Sequence, residues 1–219
     1  MKKNLRAAAV QFEHSPGDKE ANFKKIDSFL EIAARERSEL VIFPECCITG
    51  YWFLRHLSKS ELLKLAEPVF EGPSSQGLIS RAREFNMTIG AGFVEIAKDG
   101  ELFNTYVVAL PDGKAYFHRK IHCFISQHLG SGSEYCVFDT PYGVKMGILI
   151  CYDNNIGENV RMTALHGANI LLAPHQTGGC RSKDPNIMGH IDRAVWDDRG
   201  KNPQVLKRSS GAQKAGSGF

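Results

Sequence analysis

The sequence predicts a mixed α/β domain in which β-hairpins are inserted among β-α units. Short apolar runs at residues 5–12, 40–43, 144–150 and 169–173 have the length of strands, and two of them stop at a proline, Pro44 and Pro174. Segments with apolar residues at helical spacing lie between them. Asp-Gly turns at Asp99-Gly100 and Asp112-Gly113 separate three further strand-like segments, 88–94, 106–110 and 115–117.

In chain order, residues 5–12 form the first expected strand. Asp18 caps a helix running to about residue 37, with Phe23, Ile26, Phe29, Leu30 and Ala33 on one face. The strand at 40–43 follows. Ser74 is the expected cap of a second helix, with Leu78, Ile79, Ala82 and Phe85 inward. Three hairpin-linked strands come next, then a polar Gly/Ser-rich loop at about 119–134. The turn Pro141-Tyr142-Gly143 leads into the buried strand 144–150. Asn155 and Glu158 have capping-box spacing and are expected to start a helix to about His166. The strand 169–173 closes the alternation, which is that of an α/β domain with inserted hairpins.

The chain has 219 residues, which fits one large domain, and its 42% apolar content suffices for a buried core. The expected boundaries are a domain at 1–199 and a flexible or aberrant tail at 200–219, where large apolar side chains are nearly absent. A net charge of +3 with scattered basic residues gives no nucleic-acid footprint. No apolar stretch is long enough to span a bilayer. The six cysteines form no CxxC pair, so a reduced, cytoplasmic setting without a zinc ribbon or thioredoxin motif is expected.

Three segments share one design, a short apolar strand followed by a reactive side chain. The run 40–44 ends at Glu45, the run 116–119 at Lys120 and the run 147–150 at Cys151. Strand ends are where α/β enzymes aim catalytic groups into one crevice. Singly, each residue has a plainer reading as loop acid, surface charge or core filler. Together, an acid, an amine and a thiol can converge.

These segments carry a resemblance. Phe43-Pro44-Glu45, His118-Arg119-Lys120 and Leu149-Ile150-Cys151-Tyr152-Asp153 resemble the signature segments of the nitrilase-like carbon–nitrogen hydrolase family. Ala9-Val10-Gln11, Thr49-Gly50-Tyr51 and Gly167-Ala168-Asn169-Ile170 extend it over residues 5–174 in consistent order. The resemblance implies an α-β-β-α sandwich and a catalytic Glu45-Lys120-Cys151 triad. It implies hydrolysis of an amide or nitrile through a thioester, with release of ammonia or an amine and no cofactor. Tyr152 N–H is then an oxyanion donor, and a helix starting just after Cys151 would favour the thiolate. Homodimers or larger homo-oligomers are implied as well.

The sequence also departs from the family pattern. A second Glu is common between the Lys and the Cys; here Gln127 and Glu134 are the candidates for that auxiliary position. Where an Arg often binds a substrate carboxylate, this chain has Asn154 or Asn155. Tyr51, Trp52, Phe53, Phe124, Asn154 and His175 are candidate pocket residues. Residues 193–199 still resemble family helix, but the closing strands do not follow, and the expectation is a C-terminally truncated fold. That leaves three other readings open: a truncated member without turnover, a metal site using His118, His122, Cys123 and His128, and a papain-like pairing of Cys151 with His166 or His175.

Overall fold

The computed structural model describes residues 4–176. The expected tail at 200–219 and the helix-like segment 193–199 lie outside the described residues. Nine strands and four helices of at least seven residues are described: β1 (Ala7–Ala9), α1 (Lys19–Arg35), β2 (Leu40–Ile42), α2 (Lys59–Leu65), α3 (Pro73–Glu84), β3 (Thr88–Ile96), β4 (Leu102–Ala109), β5 (Ala115–Arg119), β6 (Leu129–Gly130), β7 (Cys136–Asp139), β8 (Lys145–Ile148), α4 (Gly157–Leu165) and β9 (Ile170–Leu172).

The strands make two sheets. The larger runs β1-β2-β3-β4-β5, with β6 also paired to β4; β1, β2 and β3 are mutually parallel, and β3-β4-β5 is an antiparallel meander. The smaller is β7-β8-β9, antiparallel then parallel.

The side-chain alternation of the strands sets the layers. On one face of the large sheet Val41, Ile89, Ala91, Phe93, Val107 and Ala109 pack against Ile26, Leu30 and Ala33 of α1 and Leu78 and Ala82 of α3. On the other face Leu40, Tyr106 and Val108 meet Phe138, Met146, Ile148 and Leu172 of the small sheet. The methyl of Thr163 on α4 lies where a side chain at position 147 would project, so Gly147 lets α4 seat on β8. The layers are therefore helix, sheet, sheet, helix, an α-β-β-α sandwich.

Local chemistry explains the element ends. Asp18 accepts from Ala21 N at 2.9 Å and caps α1 as expected. The second expected cap is corrected: α3 starts from Gly72, with Pro73 at its first position, while Ser74 N–H donates to Glu67 Oε2 at 2.6 Å. Proline's fixed φ starts the helix before Ser74 can cap it. The expected Asn155 cap is corrected too. A 3-10 turn occupies Cys151–Asn155, and α4 begins after Ile156 with no side-chain cap. Three elements had no sequence expectation: α2, held by a Ser58/Glu61 capping box, the two-residue β6, and β7.

Two glycines shape the sheet interior. A Cβ at Gly90 would lie 2.7 Å from the Tyr106 ring, and one at Gly92 would lie 2.5 Å from Cys46 N. The bare backbone of β3 thus admits the Tyr106 ring and the turn carrying Glu45. Among the described residues no helix is long and apolar enough to cross a membrane.

Gly92→Ala is expected to destabilise the chain by about 1–3 kcal/mol through overpacking against Cys46, read as a lowered midpoint in urea unfolding with the slope unchanged.

Candidate active site

Glu45, Lys120 and Cys151 each follow the end of a strand, and the fold brings them together. Glu45 sits one turn beyond β2. Phe43 N donates to Gly90 O at 2.8 Å and Ile48 N to Gly92 O at 3.0 Å, so β3 pins this turn on both sides. Tyr106 OH adds a 2.6 Å bond to Phe43 O. Lys120 follows β5, its N–H held by Asn104 O at 2.8 Å and its carbonyl by Gly132 N at 2.7 Å.

The two side chains meet in a closed environment. Lys120 Nζ donates to Glu45 Oε1 at 2.6 Å with both side chains at 0% exposure. Asn104 Nδ2 donates to the same oxygen at 2.7 Å, and Asn104 Oδ1 accepts from Cys46 Sγ at 3.1 Å. Glu45 Oε2 is buried and has no hydrogen-bond partner. A buried ion pair of this kind survives only with extra donors to its oxygens, and Asn104 supplies one. Burial works against the Lys120 ammonium, yet Glu45 and Cys151 outweigh it and hold its pKa above the ordinary lysine value.

Cys151 is half-buried and opens the 3-10 turn beyond β8 with φ of 50°. A left-handed conformation at a non-glycine residue costs about 1–2 kcal/mol, and strain of this sort gathers at functional sites. Cys151 N donates to Pro174 O at 2.9 Å, and Asn154 Nδ2 braces the turn by donating to Leu149 O at 2.7 Å and Cys151 O at 3.3 Å. Burial and then the Glu45 carboxylate push the Cys151 thiol up to about 11, against the pull of the Lys120 ammonium. Near neutral pH the sulfur therefore carries its proton, beside a buried carboxylate with one free oxygen.

Asp153, two residues on, is fully buried. Its carboxylate accepts from Ile121 N at 3.1 Å and His122 N at 2.8 Å, and His118 Nε2 lies 3.7 Å away. Burial opposes this charge, but the His118 imidazole and the two N–H groups hold its carboxyl below the usual range.

The family model described as carbon-nitrogen hydrolase matches residues 6–195. The chain belongs to the carbon-nitrogen hydrolase family. It is 31% identical over 174 residues to a nitrilase of Pyrococcus abyssi, covering 78% of this chain and 64% of that protein. It is 31% identical over 190 residues to the omega-amidase NIT3 of Saccharomyces cerevisiae, covering 80% and 64%. It is 32% identical over 171 residues to the 2-oxoglutaramate amidase of Bacillus subtilis, covering 75% and 62%. This carbon-nitrogen hydrolase family member thus spans somewhat under two thirds of those relatives. The crystal structure of Saccharomyces cerevisiae Nit3, a nitrilase-superfamily member, matches with a TM-score of 0.69 at 31% identity, covering 80% of this chain and 65% of that one. A carbon-nitrogen hydrolase from Helicobacter pylori shares the fold, with a TM-score of 0.70 at 23% identity, covering 83% and 63%.

In this family member the other expected site residues fall in different places. Tyr51 is buried beneath Lys120, its hydroxyl 3.5 Å from Nζ, and Trp52 packs edge-on against it. Phe124 is 60% exposed with its ring centroid 5.0 Å from Lys120 Nζ, and it meets the Tyr152 ring. These two therefore flank the ammonium from inside and outside. Asn154 braces the Cys151 turn through Nδ2 and leaves its buried Oδ1 without a partner, and His175 Nδ1 faces Ala173 O at 2.7 Å. Gln127 and Glu134 are exposed and are not among the hydrogen-bond partners of Glu45 or Lys120, whereas Asn104 Nδ2 donates to Glu45. The expected helix start after Cys151 is displaced by the 3-10 turn, which moves the helix dipole away from the sulfur.

The metal-site and papain-like readings gain no geometry. Among the described residues no group of three or more His, Cys, Asp or Glu is placed to hold a metal, so the loop histidines and Cys123 do not converge. His166 packs on Tyr135, so neither it nor His175 is oriented by a bond to Cys151. The five cysteines of the described residues are free. Asn104 and Asp153 were not foreseen as site residues. The available signal was a polar Asn104 inside a strand buried at every position and an acid in the segment after Cys151.

Lys120→Met is expected to destabilise the chain by about 3–5 kcal/mol, because it leaves Glu45 buried and unpaired. Adding Glu45→Gln should recover a large part of that loss, which a double-mutant cycle in denaturant reads directly.

Proposed function

We propose that this site hydrolyses a small amide through a thioester on Cys151, with Glu45 as proton carrier and Lys120 as oxyanion partner. The carrying observation is the buried Glu45–Lys120 pair beside a protonated, strained Cys151, with Glu45 Oε2 left without a donor. The thiol proton passes to Glu45 as sulfur attacks the carbonyl carbon. Lys120 and Tyr152 N–H, which meets no described backbone carbonyl, would face the developing oxyanion. Glu45 then returns its proton to the leaving nitrogen, the carbon–nitrogen bond breaks, and ammonia or an amine departs. Water attacks the thioester, losing a proton to Glu45; the carbon–sulfur bond breaks, and the proton returns to Cys151.

Two of the relatives above are named amidases and one a nitrilase, which supports amide first and nitrile as the second arm of a substrate panel. A homodimer or larger assembly and a cytoplasmic setting belong to the same proposal and rest on the family resemblance. Light scattering on the 219-residue chain reads the assembly.

The test is ammonia release from primary amides and nitriles by the full chain. Cys151→Ala should abolish it while the fold remains, and turnover that survives this change overturns the reading. The Glu45 charge raises the Cys151 thiol, so Glu45→Gln lowers it and leaves more thiolate at pH 8. Alkylation of Cys151 by iodoacetamide at that pH should accelerate, while turnover falls by on the order of 10²-fold or more for loss of the proton carrier.

A further inference from the structure

The geometry assigns Asp153 as a positioning residue that sets Lys120 against Cys151 across the two sheets. The inference deepens the amide-hydrolysis reading and rests on it only for turnover. Lys120 and Glu45 both belong to the large sheet, whereas Cys151 belongs to the small one. Backbone pairing fixes positions within each sheet and none across the gap. Between the sheets lie mostly apolar contacts, which tolerate small slides.

Asp153 supplies the directional link at this point. Its Oδ2 accepts from Ile121 N at 3.1 Å and its Oδ1 from His122 N at 2.8 Å, the two peptide groups directly after Lys120. His118, two residues before Lys120, lies 3.7 Å from Oδ2 through Nε2 and is itself buried. The carboxylate thus grips the two peptide groups that follow the lysine, while His118 before it stands close by without a hydrogen bond to it.

The grip is anchored at its own end. Asp153 N donates to Ile150 O at 3.1 Å, and Asp153 O accepts from Asn159 Nδ2 at 3.1 Å. The Asp153 backbone is therefore locked into the turn that carries Cys151 and tied to α4. The side chain does not contact the ammonium, which is paired with Glu45. Its influence on the site runs through backbone placement, and a misplacement of about 1 Å can cost on the order of 10²-fold in rate.

Asp153→Asn keeps the shape and one acceptor oxygen but turns an amide NH2 toward backbone donors. In the folded full-length chain it should move the pH profile of Cys151 alkylation by iodoacetamide, followed by mass spectrometry at that cysteine. It should also lower kcat by on the order of 10-fold or more with KM little changed. A folded Asp153→Asn chain with an unchanged alkylation profile and unchanged kcat overturns the assignment. If the variant does not fold, hydrogen exchange on the unaltered chain decides. Protected Ile121 and His122 amides, slower than those of the neighbouring loop, uphold the clamp, and fast exchange at both overturns it. A chain without turnover whose Cys151 profile still responds to Asp153 overturns the amidase reading and upholds this one.

Discussion

The buried pair between Lys120 Nζ and Glu45 Oε1 is the constraint around which the rest is arranged. Two opposite charges at 0% exposure are stable only if the backbone delivers them to each other within hydrogen-bond distance. The large sheet does this by bracketing the pair with β3 and β4. β3 holds the Glu45 turn through Gly90 and Gly92, and β4 holds Lys120 through the carbonyl of Asn104. The Asn104 side chain then donates to Glu45. One residue of a central strand therefore serves both members of the pair.

The small sheet has a different task. It carries the Cys151 thiol, on a turn bent into the left-handed region, toward a pair that is already assembled. The electrostatic result follows from this division. A thiol entering a dry site next to a carboxylate is held protonated, and the ammonium only moderates that. In the proposed reaction the sulfur becomes active only as its proton leaves for Glu45, an event coupled to the bond being formed. Such a site has little unprovoked thiolate to lose to oxidants.

The sequence made the strand-end logic legible because the strands are short, apolar and closed by Pro44 and Pro174, and because an acid, an amine and a thiol follow three of them. The layer order came with the family resemblance, and the packing of α1, α3 and α4 agrees with it. What escaped had physical reasons. The seven residues of α2 bury only Leu62 and Leu65, too few for a period, although Ser58 and Glu61 mark its start. β7 is four residues long and partly exposed, so it lacks alternation. Ser74 and Asn155 looked like caps on local grounds, but Pro73 and the 3-10 turn at Cys151 decide where those helices begin. Asn104 was invisible because its partner, Glu45, is 59 positions away, and no local pattern encodes such a bond. Gln127 and Glu134 were sought by distance along the chain, which says little about which side of a loop faces inward.

Tyr106 belongs to two systems at once. Its ring is part of the apolar layer between the sheets, with Met146, Ile148 and Leu172 in the same cluster, while its hydroxyl holds the carbonyl of Phe43, two residues before Glu45. The position of the acid's backbone is thereby tied to the packing of this layer. Positions that line this ring are then constrained by chemistry as well as by volume. Drift in the core should be slower around Tyr106 than around the helix-facing residues of the same sheet, because a substitution that fills space equally well can still tilt the strut on which Glu45 stands.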